Sequence, residues 1–247
     1  MSVSNTNTRA FDLVMFDLDG TLIETAPEIC DAVNDTLKHF QLPRVGQTQV
    51  NDWIGRGTHE LLIQALAFVG KTTVEAIRAS GELPLIAAEF DRNYQRRCGT
   101  RSHLYPQVRE VLQQLRAEGV KLAVVTNKES RYTRAVLDAH RLAPMFDRVV
   151  SGDSLPTKKP DPAGILSCLD AFAVRRERAL FVGDSSIDVV TARNAAVAVW
   201  VLPYGYNMGE PIAACRPDRL IPDFSALVPA QARRDSAAAL DRVGGLA

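Results

Sequence analysis

Asp17 and Asp19 close a short apolar run, Leu13-Val14-Met15-Phe16, and are followed at once by Gly20 and Thr21. With Phe11 two residues before it, the run reads as a strand buried on both faces. If strand geometry persists through the two acids, carboxylates at i and i+2 point the same way. Such a pair is costly to desolvate unless a cation or a proton shares the site. Gly20 lets the backbone turn sharply and come close to a ligand. The residue types therefore point first to a metal.

Three more apolar runs end in groups able to do related chemistry. Lys121 to Thr126 ends on Thr126 and leads into Asn127 and Lys128. Arg148 to Ser151 leads into Gly152 and Asp153, then the basic loop Lys158-Lys159-Pro160. Ala179 to Gly183 leads into Asp184-Ser185-Ser186-Ile187-Asp188. Asp17, Asp184 and Asp188 offer hard oxygen ligands suited to Mg²⁺. Thr126, Lys159 and loop amides offer donors for a phosphoryl group. One carboxylate held in line can attack phosphorus, and the second can protonate the leaving oxygen and later deprotonate a water. Taken singly, each feature has a plainer reading. Asp17 and Asp19 also suit a solvated Asp-Gly turn, Asp184 and Asp188 a helix N-terminus, and Thr126 a helix cap. Asp153 and Asp161 read as turn or cap residues.

The elements that must hold these groups alternate between strand and helix from Tyr105 onward. Helices are expected over Val108 to Leu115, Ser130 to His140, Pro162 to Phe172 and Ile187 to Ala195, with further strands at Val197 to Leu202 and Arg219 to Ile221. This order implies a parallel sheet with right-handed crossovers, at whose carboxyl edge ligands bind. Between the first strand and the rest, residues 23–97 read as helical throughout, without a strand. Pro27 opens one helix, Thr58 caps another that Gly70 closes, and Thr72 to Ser80 and Leu83 to Arg97 form two more. The expected division is an α/β core over 10–22 and 98–230, a helical cap over 23–97, and flexible tails at 1–9 and 231–247.

Charge and composition narrow the function classes. Lys plus Arg and Asp plus Glu both number 29, so no basic surface field favours nucleic acid. Hydrophobic residues make up 46%, enough for a sizeable core, yet no run is long enough to span a bilayer. Cys30, Cys98, Cys168 and Cys215 are far apart, and the four histidines form no zinc pattern. The polar start, MSVSNTNTRA, lacks the apolar segment of a secretory signal. A soluble, cytoplasmic protein acting on a small phosphorylated metabolite, without nucleic acid or membrane, is expected; monomer and homo-oligomer both remain open.

DLDGT at Asp17–Thr21, VVTN at Val124–Asn127, Lys159-Pro160 and GDSSID at Gly183–Asp188 resemble, in order, the four motifs of the haloacid dehalogenase superfamily. The resemblance covers about Phe11 to Phe224 and implies a Rossmann-like (haloacid-dehalogenase-like) parallel sheet with a helical cap inserted after the first strand. It implies Asp17 as nucleophile and Asp19 as acid/base. Mg²⁺ would be held by Asp17, the Asp19 backbone carbonyl and Asp184, with Asp188 behind them or reaching the ion through a water. Phosphate would be held by Thr126, Asn127 and Lys159, with Lys158 in solvent.

Asp19 in the third place of the first motif implies a phosphatase. The helical block, the loop Trp53-Ile54-Gly55-Arg56-Gly57 and the stretch Pro203–Asn207 resemble the phosphoglycolate phosphatase branch, which implies 2-phosphoglycolate as substrate. Within this resemblance a setting in carbon fixation (the Calvin cycle), salvaging the product of an oxygenase side reaction, is one of several. Arg56 has two readings, a grip on a substrate carboxylate and an arginine facing water. One departure is Ala195-Ala196, where many relatives have Ala-Gly; Ala196 resists a left-handed helix cap. Two other functions compete. One is a phosphatase of another small metabolite, such as a sugar phosphate or pyrophosphate. The other is a receiver-type signalling protein that accepts a phosphoryl group, against which the helical insertion and the Asp17-x-Asp19 pair both argue.

Overall fold

The computed structural model describes residues 11–228; the tails expected at 1–9 and 231–247 lie outside the described residues. The chain opens with β1 (Leu13–Phe16) and β2 (Ile23–Glu24). It then runs through α1 (Ala26–His39), α2 (Gln47–Trp53), α3 (Thr58–Gly70), α4 (Val74–Arg78) and α5 (Leu83–Arg97). After β3 (His103–Leu104) and α6 (Val108–Ala117) come β4 (Lys121–Val125), α7 (Ser130–Ala139), β5 (Arg148–Val150) and α8 (Ala163–Phe172). The last elements are β6 (Ala179–Gly183), α9 (Ser186–Asn194), β7 (Ala198–Val201) and β8 (Arg219–Leu220).

Six strands form one parallel sheet in the order β5-β4-β1-β6-β7-β8. β1 is central, its Phe16 in register with Val124 of β4 and Val182 of β6. The strand order reverses beside β1, and such a switch point opens a crevice at the carboxyl ends of the strands. Alternation along β1 divides the core. Val14 and Phe16 pack with Val108, Leu112 and Val136 on one face; Leu13 and Met15 pack with Ile165, Val189 and Ala192 on the other. Both faces of the strand are covered, which is why its sequence shows no polar alternation.

The helices α1 to α5 enter between β1 and the rest of the sheet, a helical cap inserted after the first strand. They bury their own apolar stripes, with Val33 and Leu37 of α1, Leu62 and Leu66 of α3 and Phe90 of α5 in one cluster. The insertion is not wholly helical, however. Ile23–Glu24 pairs antiparallel with His103–Leu104, a ribbon joining the chain just before and just after the helices. Two residues carry no periodicity, so this strand leaves no pattern to read. α2 was also not expected: Val50 is its one buried residue, and a seven-residue helix with a single buried side chain shows no stripe. Thr58 proves to be the first residue of α3 rather than its cap, which is Gly57.

Candidate active site

The site is assembled from the loops that leave the carboxyl ends of β1, β4, β5 and β6. Strand geometry stops at Phe16. The Asp17 N–H still donates to Val182 O at 3.0 Å, but from Leu18 onward the chain curls, with Leu22 N–H donating back to Leu18 O at 3.0 Å. Asp17 and Asp19 are therefore carried on a turn rather than on a continued strand, and both line the same cleft. Each faces its own lysine. Lys159 Nζ lies 2.9 Å from Asp17 Oδ1 and 2.7 Å from Asp188 Oδ1. Lys128 Nζ lies 2.8 Å from Asp19 Oδ1, which also accepts from Thr25 Oγ1.

Asp17 Oδ1 takes a second bond from the Leu18 N–H at 2.7 Å. Its other oxygen accepts no hydrogen bond from the described residues and is the one left for chemistry. Asp184 is held by the Thr21 hydroxyl on Oδ1 and by the Tyr206 N–H, at 2.6 Å, on Oδ2. Glycine makes this seating tight. A Cβ on Gly20, at φ +83°, would stand 2.3 Å from Asp184 Oδ2, and one on Gly205 would stand 2.1 Å from it. Asp188 forms a capping box with Ser185 at the start of α9. Its Oδ2 accepts from Asp184 N, Ser185 N and Ser185 Oγ, while Oδ1 receives Lys159. Asp188 thereby orders the loop and the lysine, and of the three acids Asp17 is the one that keeps an oxygen without a donor among the described residues.

Thr126 and Asn127, each 4% exposed, sit beside these acids. The Thr126 N–H donates to Val150 O at 3.0 Å, and its hydroxyl accepts from the Lys128 N–H, a local turn that brings the residues after β4 back toward Asp19. Asn127 donates to Gly55 O and to Lys159 O, both at 2.9 Å, and its own Oδ1 is buried without a partner. A narrow cleft lies between this edge and the helices, lined by Asp17, Asp19, Thr126, Asn127 and Lys128 from below. From above it is lined by Ile29, Ile54, Gly55, Gly57, Thr58 and Leu61. Arg56 is exposed on the loop and does not line the cleft, which favours its reading as an arginine facing water. Lys158 is likewise exposed, whereas Lys159 is 6% exposed.

Electrostatics set the demand for a cation. Burial pushes the Asp17 carboxyl up to about 6, against the pull of Lys159 and with Asp188 adding to the rise. Burial, then Asp188 and Asp17, hold Asp184 well above the ordinary carboxylate range. Burial alone would lower Lys159, but Asp17 and Asp188 more than offset it and raise its pKa. One lysine cannot balance three buried acids. Asp17, Asp184 and Asp188 each present an oxygen within 4.8 Å of the others. A compact set of hard oxygens with excess negative charge fits a small divalent ion such as Mg²⁺.

Several site residues carried weak signals in the sequence. Lys128 follows Thr126-Asn127 directly, but a lysine after a strand reads as solvated; here it is 2% exposed. Its Nζ also donates to the Tyr94 hydroxyl, from α5. Thr21, inside the first motif, Tyr206, inside the Pro203–Asn207 stretch, and Thr25 carry no role that the sequence reveals, because their partners are side chains brought near only by the fold. Asp153 accepts from Ser130 N and Oγ at the start of α7, and Asp161 accepts from Ala163 N at the start of α8.

A sheet that gathers acids, a hydroxyl and a buried lysine at one switch point beneath inserted helices defines a hydrolase of the haloacid-dehalogenase type. The chain belongs to that family: residues 14–202 match the model of the haloacid dehalogenase-like hydrolases. Among its relatives, the phosphoglycolate phosphatase of Vibrio cholerae serotype O1 is 36% identical over 225 residues, 89% of this chain and 96% of that protein. That of Haemophilus influenzae (strain 86-028NP) is 38% identical over 218 residues, 88% of this chain and 97% of that protein. The crystal structure of a predicted phosphoglycolate phosphatase from Haemophilus somnus superposes with a TM-score of 0.83 at 36% identity, covering 88% of this chain and 96% of that one. No described helix is long and apolar enough to cross a membrane.

Proposed function

We propose that this chain is a Mg²⁺-dependent phosphatase that hydrolyses 2-phosphoglycolate to glycolate and phosphate through an aspartyl-phosphate on Asp17. The observation that carries the reading is the division of labour between the two acids. Asp17 is pinned by Lys159 and the Leu18 amide with one oxygen spare, while Asp19, across the same cleft, is held by a different lysine. The phosphoglycolate phosphatases named among the relatives support the choice of substrate.

In the first half-reaction the spare Asp17 oxygen attacks phosphorus. A new O–P bond forms as the bond to the glycolate oxygen breaks, and Asp19 delivers its proton to that leaving oxygen. In the second, Asp19 takes a proton from water, which attacks phosphorus and breaks the bond to Asp17, releasing phosphate. Lys159 keeps Asp17 in place and the Thr126 hydroxyl donates to the phosphoryl oxygens, while Asn127, whose two side-chain N–H groups go to Gly55 O and Lys159 O, can offer them only its backbone amide. Asp17, Asp184 and the Asp19 carbonyl, with Asp188 behind them, would hold Mg²⁺, which would supply positive charge for the phosphoryl oxygens and for the crowded acids. The inserted helices exclude bulk water and restrict the cleft to small esters.

Asp17→Asn should lower Mg²⁺-dependent phosphate release from 2-phosphoglycolate by at least about a thousandfold. Asp19→Asn should also be severe, and comparable turnover by Asp17→Asn would sink the mechanism. A panel of sugar phosphates, pyrophosphate and phosphoglycolate, ranked by kcat/KM, tests the substrate. A phospho-aspartate lasting many minutes with no turnover of any ester would instead favour a receiver.

A further inference from the structure

We infer that Lys128 recognises the carboxylate of the leaving group and thereby selects esters of small hydroxy acids. This rests on the phosphatase reading and deepens it. Lys128 is the cationic side chain among the residues that line the cleft; Arg56 and Lys158, on the loops around it, are exposed. Its ammonium has three N–H groups. One is directed to Asp19 Oδ1 at 2.8 Å and one to the Tyr94 hydroxyl, and the third has no hydrogen-bond acceptor among the described residues.

The stereochemistry of the substrate brings its carboxylate to that donor. When the ester oxygen receives its proton from Asp19, it lies in hydrogen-bond contact with that carboxyl. In an ester of a 2-hydroxy acid the carboxyl carbon is two bonds from the ester oxygen, and its oxygens are about 3 Å away from it. A carboxylate so placed stands over the neighbourhood of the Asp19 carboxyl, where Lys128 is the cation within reach. It also needs one there, since a second carboxylate beside Asp19 in a closed cleft would otherwise be repelled. The wall opposite, with Ile29, Ile54, Thr58 and Leu61, offers no charge to an anion. Tyr94, from α5, and Thr25, before α1, hold the pair from the side of the inserted helices, so the donor is fixed before substrate arrives.

The test compares 2-phosphoglycolate with 2-hydroxyethyl phosphate, in which a neutral hydroxymethyl group replaces the carboxylate. Wild-type enzyme should prefer phosphoglycolate in kcat/KM by about a hundredfold or more. Lys128→Met should abolish most of that preference, losing about a hundredfold on phosphoglycolate and less than about tenfold on the neutral ester. Lys158→Met should leave both unchanged. An equal loss on both esters would reduce Lys128 to a support for Asp19 and overturn the inference. If Lys128→Met does not fold, wild-type inhibition decides. Glycolate should inhibit at least about tenfold more tightly than ethylene glycol, and equal inhibition overturns the assignment. A wild-type protein that releases phosphate from both esters without preference refutes this inference and leaves the phosphatase reading standing. Release from neither ester refutes both.

Discussion

The side-chain amide of Asn127 donates to the carbonyl of Gly55 at 2.9 Å, so a residue at the end of β4 holds the loop that roofs the cleft. The second N–H of the same amide goes to Lys159 O, tying that loop to the lysine segment as well. Nearby, the Thr58 hydroxyl donates to Glu129, a second fastening between α3 and the residues before α7. Asn127→Ala removes the two side-chain bonds of Asn127, each worth about 1 kcal/mol, and with them the tie between the roof loop and the lysine segment. The expected result is a loss in kcat/KM of about 10- to 100-fold, carried by KM as much as by kcat. Thr58→Val, which removes only the second fastening, should cost less than about fivefold. Steady-state kinetics on both variants check the order.

Much of this arrangement was legible in the sequence because buried parallel strands are short apolar runs and their ends are marked by polar residues. β6 was expected at its observed bounds, and β1 and β4 lie within the runs read for them. Asp17, Thr126, Asn127, Lys159, Asp184 and Asp188 follow those ends in the sequence, and the structure brings them to one crevice. What could not be read has a common cause: its partners are distant. The Thr58 hydroxyl answers Glu129, 71 positions away, rather than its own helix. Lys128 is buried against Asp19 and Tyr94, 109 and 34 positions away. The turn at Leu18–Leu22 that carries Asp19 is not announced by local alternation.

The crowded acids make the metal-free protein sensitive to pH. Asp17, raised from 3.8 to about 6, binds its proton more tightly folded than unfolded. Stability from this group is therefore full below about pH 4 and is lost as pH rises through about 6, by on the order of 3 kcal/mol. Asp184 shifts in the same direction, through burial first and then its acidic neighbours, and adds to the loss. Mg²⁺ should remove this penalty. Thermal melts in EDTA should show the folded state weakening between pH 5 and pH 7.5, and the stabilisation by millimolar Mg²⁺ should be larger at pH 7.5. A Mg²⁺ effect independent of pH would contradict the assignment of these acids to the ion.

Ala196 adopts the left-handed conformation that its side chain disfavours, with φ +54°. The end of α9 requires it, because the Ala196 N–H donates to Arg193 O and the Val197 N–H to Ala192 O, the pair of bonds that closes a Schellman turn. The methyl group is exposed, so no packing offsets the strain. Ala196→Gly should raise stability by about 1 kcal/mol and Tm by about 2–4 °C, with kcat unchanged. Paired denaturation curves and activity assays give the answer.

Gly205 carries the seating of Asp184. Its backbone passes so close that a Cβ would stand 2.1 Å from Asp184 Oδ2, and the next residue, Tyr206, uses its N–H to hold that same oxygen at 2.6 Å. The Tyr206 hydroxyl in turn accepts from the Ala26 N–H at 3.1 Å, so the loop is anchored at its far side and cannot simply retreat. In Gly205→Ala the strain falls on Asp184, which must turn away from the ion site while Asp17, Asp19 and Lys159 keep their contacts. Groups that orient a ligand carboxylate typically affect metal affinity by 10- to 100-fold. The Mg²⁺ concentration for half-maximal activity should rise by about that factor, and kcat at saturating Mg²⁺ should fall far less. Titration calorimetry with Mg²⁺, beside an activity titration, separates this from a fall in kcat alone, which would place Asp184 outside the ion's shell.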